Sequence, residues 1–366
     1  MDHLDERGRG KAPGRAARCR AGAARWSAAA VLSALLAAPA GGPARAAALQ
    51  AVEDFGPNPG QLDMYVYAPD GIEAGASLVV ALHGCAQGAA DFDDETGLIA
   101  LADAFGFVLV LPEQRRTNNE ARCFNWFRRA DNRRDQGEAA SLRQMIQHAR
   151  DTFEADASQI FVLGLSAGGS MAAVLMASYP EVFAGGAVIA GTPYDCNTPT
   201  SIWDWQWWWF DTWVGDAAAA SFGCGLLGQS PSERAAKDWG DYVRAASPGA
   251  PARWPRVSLW QGDADQVVDP INLGELVKQW TDVHGIDQAP DDGEDDGEDD
   301  GAVSHRIYRD AGGAALVETY EIAGFAHALP VDPGAGPQQC GKIADYVADA
   351  DICSTLKILE FWGVAP

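Results

Sequence analysis

Positive charge is scarce in this chain of 366 residues: 27 lysines and arginines face 51 aspartates and glutamates, a formal net charge of −24. A surface that acidic repels phosphate backbones and anionic bilayers, so nucleic acid and membrane are excluded as favoured partners. Long apolar runs are missing too. The most extended one, Ala28 to Ala38, is too short to span a bilayer. The six histidines are scattered and the seven cysteines include no C-x-x-C pair, so no metal and no cofactor is expected.

What the first 48 residues do contain is a concentration of the scarce charge. Arg7, Arg9, Lys11, Arg15, Arg18, Arg20 and Arg25 precede the apolar stretch, and small residues follow around Ala44 to Ala48. That is the plan of an export signal, with cleavage expected after Ala46 or Ala48. Its removal leaves 19 basic against 48 acidic groups, a charge of −29. The remaining chain, 49–366, reads as one secreted domain, extracellular or periplasmic, acting as a monomer.

The most informative stretch is Gly164-Leu165-Ser166-Ala167-Gly168-Gly169, directly after the apolar run Ile160 to Leu163 and directly before a helical pattern. Strand, sharp turn and helix in that order describe a nucleophile elbow. The flanking glycines let the turn close, push the Ser166 hydroxyl clear of the backbone and aim the next amide at a substrate oxygen.

Three other strand ends carry what such a serine needs. Leu78 to Leu82 leads into His83-Gly84-Cys85, the position from which a loop supplies a second oxyanion-hole amide. The expected donors are the amides of Cys85 and Ala167, with His83 shaping the loop rather than acting as a base. Arg256 to Trp260 leads into Gln261-Gly262-Asp263-Ala264-Asp265, where the triad carboxylate belongs. Asp265 is taken as that acid, and Asp263 as a turn former bonded to its own backbone. Thr319 to Ile322 leads into Ala323-Gly324-Phe325-Ala326-His327, downstream of both partners, which makes His327 the base. His3, His148, His284 and His305 lack such placement.

In LHGCAQGAADF (82–92), GFVLVLPEQ (106–114), CFNWF (123–127), the segment from Gly164 to Cys196, WQGDADQVVDP (260–270), ELVKQWTDVHGIDQ (275–288) and GFAHALPVDPG (324–334), the chain resembles extracellular polyhydroxybutyrate depolymerases. Feruloyl and acetylxylan esterases of the same superfamily are the next resemblance. It covers Leu62 to Trp362 and implies an α/β-hydrolase fold and hydrolysis of a polyester or other ester. It also implies Ser166 as nucleophile, Asp265 as acid, His327 as base and an oxyanion hole near Cys85. A catalytically silent binding protein on the same fold is the contrary reading, and the three filled triad positions speak against it.

Loss of Cys19 with the leader leaves six cysteines, which formally allow fifteen pairings. Short loops favour Cys85 with Cys123, Cys196 with Cys224 and Cys340 with Cys353, and the resemblance implies the same set. Strands are read at 64–67, 78–82, 107–111, 160–163, 186–190, 257–261 and 317–322, alternating with helical patterns such as 137–153 and 170–178. Alternating βα units predict a mostly parallel sheet with helices on both faces and a crevice at the strands' carboxyl ends.

Two insertions interrupt this order. Residues 290–301 carry eight carboxylates and are expected to form a disordered surface loop, with calcium binding the sharper alternative. Residues 201–213 hold six tryptophans, more than a short disulfide-closed loop can bury. Either the rings pack back on the body, or they form an apolar surface for substrate. Trp126, Trp207 and Trp208 are the expected substrate contacts.

Overall fold

A strand covered on both faces reads as an unbroken apolar run rather than an alternation, and the middle of this chain's sheet is made of such runs. The computed structural model describes residues 49–198, 213–247, 249, 251–296 and 303–366. Its strands are β1 (Gln50–Val52), β2 (Asp63–Tyr67), β3 (Ser77–Leu82), β4 (Phe107–Glu113), β5 (Ile160–Leu165), β6 (Gly185–Ile189), β7 (Arg256–Gly262), β8 (Asp292–Asp296), β9 (Val303–Arg309), β10 (Ala315–Ile322), β11 (Leu329–Val331) and β12 (Val347–Asp349). Ten of them form one sheet in the order β1-β2-β4-β3-β5-β6-β7-β10-β9-β8. From β4 to β10 neighbours run parallel, and β1, β2, β9 and β8 extend the two edges antiparallel. β11 and β12 pair separately.

The helices are α1 (Ala89–Glu95), α2 (Leu98–Phe105), α3 (Gly137–Phe153), α4 (Ala167–Ser178), α5 (Trp213–Gly223), α6 (Ala236–Ala246), α7 (Ile271–His284) and α8 (Ser354–Trp362). One apolar layer joins α3, α4, α6 and α7 to residues such as Leu78, Val80, Val108, Val162 and Leu259. The opposite layer joins α1, α2 and α8 to Val79, Leu109, Phe161 and Leu163. Adjacent residues of one strand thus feed different layers, as the period-two geometry of a strand requires. Every residue of α4 is buried, which is why its sequence is apolar and small-residued all round rather than amphipathic. No helix among the described residues is long and apolar enough to cross a membrane.

Two expectations fall outside the described residues, the leader 1–48 and the tryptophan-rich stretch up to Thr212, including Trp207 and Trp208. The acidic insertion differs from expectation where it is described. Asp292–Asp296 is an edge strand antiparallel to β9, not a loop. Its neighbour offers what carboxylates need: Arg309 Nε lies 2.9 Å from Asp292 Oδ2, and the Arg309 amide donates to Asp291 Oδ2 at 2.7 Å.

Candidate active site

β5 ends at Leu165, and Ser166 takes φ 55° and ψ −119° before α4 begins at Ala167. That strained geometry is held from both sides. The Ser166 amide donates to Ile189 O at 2.8 Å. A Cβ on Gly168 would sit 2.1 Å from Leu82 O, and one on Gly164 would sit 2.4 Å from Gly168 O, so only glycine lets the elbow close against β3. The serine hydroxyl is half-buried and makes no hydrogen bond among the described residues. Such bonds are commonly loose in free enzymes and tighten with substrate.

Asp265 and His327 are brought together. Their side chains are almost wholly buried, and His327 Nδ1 lies 2.7 Å from Asp265 Oδ2. The second carboxylate oxygen accepts the amides of Val267 at 2.8 Å and Val268 at 3.0 Å, while Gln261 Nε2 donates to Oδ2 at 3.0 Å. Burial opposes ionisation of this carboxyl. The His327 hydrogen bond and charge, then the two valine amides, outweigh it and hold its pKa below the ordinary carboxylate value. The imidazole is thereby oriented with Nε2 left for another partner.

Asp263 is more than a local turn former. Its Oδ1 accepts the amide of Gly324 at 2.6 Å, and the Ala264 amide donates to Phe325 O at 3.1 Å. Those bonds clip the loop after β7 to the loop that carries His327, 61 residues downstream.

The loop after β3 is built around His83. Nδ1–H donates to Gly84 O at 2.6 Å and Nε2 accepts the Gln114 amide at 3.1 Å, which fixes a neutral tautomer and leaves no nitrogen free for catalysis. Burial pushes its pKa down to about 4; the Gly84 bond works the other way and the Arg122 charge adds to the depression. Of the amides in this loop, Gly84 is bonded to Gln87 Oε1, Ala86 to Ala121 O and Gln87 to Gly84 O. The Cys85 and Ala167 amides have no partner among the described residues.

Because the folded pKa of His83 lies below that of the free ring, its contribution to stability is complete above pH 6.5 and is lost as pH falls toward about 4. The full loss is on the order of 3 kcal/mol. In urea unfolding between pH 7 and 4, His83→Asn is therefore expected to lose less stability on acidification than its parent. Parallel curves would contradict the assignment.

Three disulfides are formed, Cys85–Cys123, Cys196–Cys224 and Cys340–Cys353, as expected, and they are bonds of an oxidising compartment. Cys85–Cys123 ties the His83 loop to Cys123-Phe124-Asn125-Trp126. That second loop hangs on Glu138, which sequence reasoning missed. Buried at the start of α3, it accepts Gln114 Nε2 at 2.6 Å, Asn118 Nδ2 at 3.1 Å, and Asn125 Nδ2 and N at 2.7 Å each. Trp126 does not present an open surface. It is buried in the core, edge-on to Phe127 with ring centroids 5.6 Å apart, because the loop turns its aromatic residues inward.

A central parallel sheet, an elbow serine at its carboxyl edge and a buried Asp–His pair from the loops after the second and third strands beyond it describe a carboxylic ester hydrolase of the α/β-hydrolase type. Comparison with known proteins makes the class specific. The chain belongs to the esterase PHB depolymerase family, whose sequence pattern matches residues 62–199. It is 41% identical over 317 residues to poly(3-hydroxyalkanoate) depolymerase C of Paucimonas lemoignei, covering 87% of this chain and 70% of that protein. It is 31% identical to feruloyl esterase B of Neurospora crassa, over 78% of this chain and 90% of that one. An acetyl xylan esterase structure from Aspergillus awamori superposes with a TM-score of 0.68 at 24% identity, over 87% of this chain and 100% of that one.

Proposed function

We propose that the protein is a secreted serine esterase that cleaves poly(3-hydroxybutyrate) or related short-chain polyhydroxyalkanoates through an acyl-enzyme. Ser166 attacks the ester carbonyl while His327 takes its proton through Nε2. Asp265 keeps that proton acceptor in the working tautomer and stabilises the charge it gains. The amides of Cys85 and Ala167 meet the oxyanion, each such donor being worth on the order of 3 kcal/mol. His327 then returns the proton to the leaving alkoxide, and water releases the acyl group. The observation that carries the chemistry is the Asp265–His327 bond in a chain that also forms an elbow serine. The polyester assignment rests on the 41% identity with the depolymerase.

No nucleic acid or membrane belongs in this reading, since the mature charge is −29, and the enzyme works as a monomer. Residues 201–213 serve to hold the polymer. Release of 3-hydroxybutyrate from amorphous polymer, set against ferulate or acetate from xylan, tests the substrate. Product from xylan alone would transfer the protein to the feruloyl or acetylxylan group. Replacing Trp207, Trp208 and Trp209 by serine is expected to weaken adsorption to polymer film severalfold more than it slows 4-nitrophenyl ester hydrolysis. Equal losses would assign the tryptophans to folding.

A further inference from the structure

Twelve described non-glycine residues have a left-handed φ, and Tyr346, at 61°, is the aromatic one among them. Such a φ strains a bulky L-residue and persists only where the surroundings impose it, most often at working sites. Here the imposition is visible. The Leu329 amide donates to Tyr346 O at 2.8 Å, and Ala344 and Val347 exchange bonds of 3.0 and 3.2 Å across the turn. Gln87, buried under the Cys85 loop, donates Nε2–H to Asp345 O at 3.2 Å while its Oε1 accepts the Gly84 amide at 2.8 Å. One side chain thus couples the Tyr346 turn to the loop with the unspent Cys85 amide.

The ring so held does not fill the core. Tyr346 is 49% exposed and stands edge-on to the His327 imidazole, at 76° with centroids 6.4 Å apart. Ile343, just before that turn, is 66% exposed. Core packing does not account for a strained aromatic facing solvent beside the base.

Reaction chemistry says which part of a substrate would meet it. His327 hands its proton to the departing alkoxide, so the leaving oxygen lies at the imidazole and the departing chain runs past whatever flanks that ring. We propose that Tyr346, with Ile343 at its margin, is the apolar wall of the leaving-group side. It selects esters whose alcohol part is itself an extended, methyl-bearing chain over esters of small alcohols. The inference rests on the serine-esterase reading above and deepens it. Tyr346 is a specificity residue; the bond-breaking steps proceed without it.

The test holds the acyl group constant and changes the alcohol, using methyl 3-hydroxybutyrate and the methyl ester of its linear dimer, with internal-bond cleavage followed by product analysis. Tyr346→Ala is expected to lower kcat/KM for the dimer at least tenfold more than for the methyl monomer. Tyr346→Phe should keep the parental preference, because the ring and not the hydroxyl makes the wall. Tyr346→Gly should lose the preference yet melt no lower than the parent, since glycine accepts the left-handed φ without strain. Equal losses on both esters would reduce Tyr346 to a prop for His327, and an unchanged dimer rate would remove it from the site; either overturns the proposal. A parent that hydrolyses 4-nitrophenyl acetate but neither hydroxybutyrate ester sinks the polyester reading alone. Tyr346 is then judged by the same ratio on methyl and benzyl acetate.

Discussion

Asp265→Asn should cost about four orders of magnitude in kcat while leaving the fold intact, because of how the two carboxylate oxygens are committed. Oδ1 accepts the amides of Val267 and Val268. An asparagine must keep its carbonyl there, which turns its amino group toward His327. Nδ1 then has to accept, the ring proton moves to Nε2, and the nitrogen that should deprotonate Ser166 carries a proton instead. Asp265→Ala removes the misdirecting donor and should be no worse than Asp265→Asn, although it orphans two valine amides and lowers stability. Steady-state kinetics on a soluble ester with a parallel melting curve separate the two effects. A loss below tenfold in a folded Asp265→Asn enzyme would show that this carboxylate does not set the tautomer.

The second large effect belongs to a residue far from the chemistry in role, though it supports the pocket wall. Glu138→Ala removes the acceptor of four N–H donors from three side chains and one amide, all but one within 2.7 Å. Leaving buried donors unpaired is far costlier than the net worth of the bonds they made, and a destabilisation of about 3 to 5 kcal/mol is expected at pH 7. The pH dependence carries a signature. Burial, with the nearby Asp131 charge, pushes the Glu138 pKa up to about 8 against the pull of the Gln114 and Asn125 donors. A raised carboxyl pKa means that the fold favours the protonated acid. Its contribution is greatest below about pH 4.5 and is lost as pH rises toward 8. The stability gap between parent and Glu138→Ala in urea should therefore narrow across that window. A gap that widens with pH would mean the group is held as a carboxylate.

Much of this architecture was legible because the relevant physics is local. Fully buried parallel strands announce themselves as continuous apolar runs, as β3 to β6 do, and β2, β7 and β10 also lie where the sequence places strands. The α3 span, Gly137 to Phe153, coincides with the periodicity. Ser166, Asp265 and His327 stand out in the sequence because each follows a strand end, and the structure brings Asp265 and His327 into hydrogen-bond contact. β8 and β9 were not, since an edge strand needs only one apolar face and β8 is paired through backbone and Arg309 rather than through burial. Asp263 looked like a turn residue because its true partner, the Gly324 amide, is remote in sequence. Gln87, Gln261 and Glu138 carry no local signal at all; a polar residue earns its place in such a network only once the chain has folded around it. Trp126, expected at a surface beside the loop, is turned inward instead.

The central claim is that Ser166 is a nucleophile activated by His327. Labelling the intact enzyme with a serine-directed phosphonate, followed by peptide mass spectrometry, tests it most directly. One phosphonyl group per chain on Ser166, no label in Ser166→Ala and labelling slowed at least a thousandfold in His327→Ala are expected. Label on another residue, or ester hydrolysis persisting in Ser166→Ala, would contradict the account.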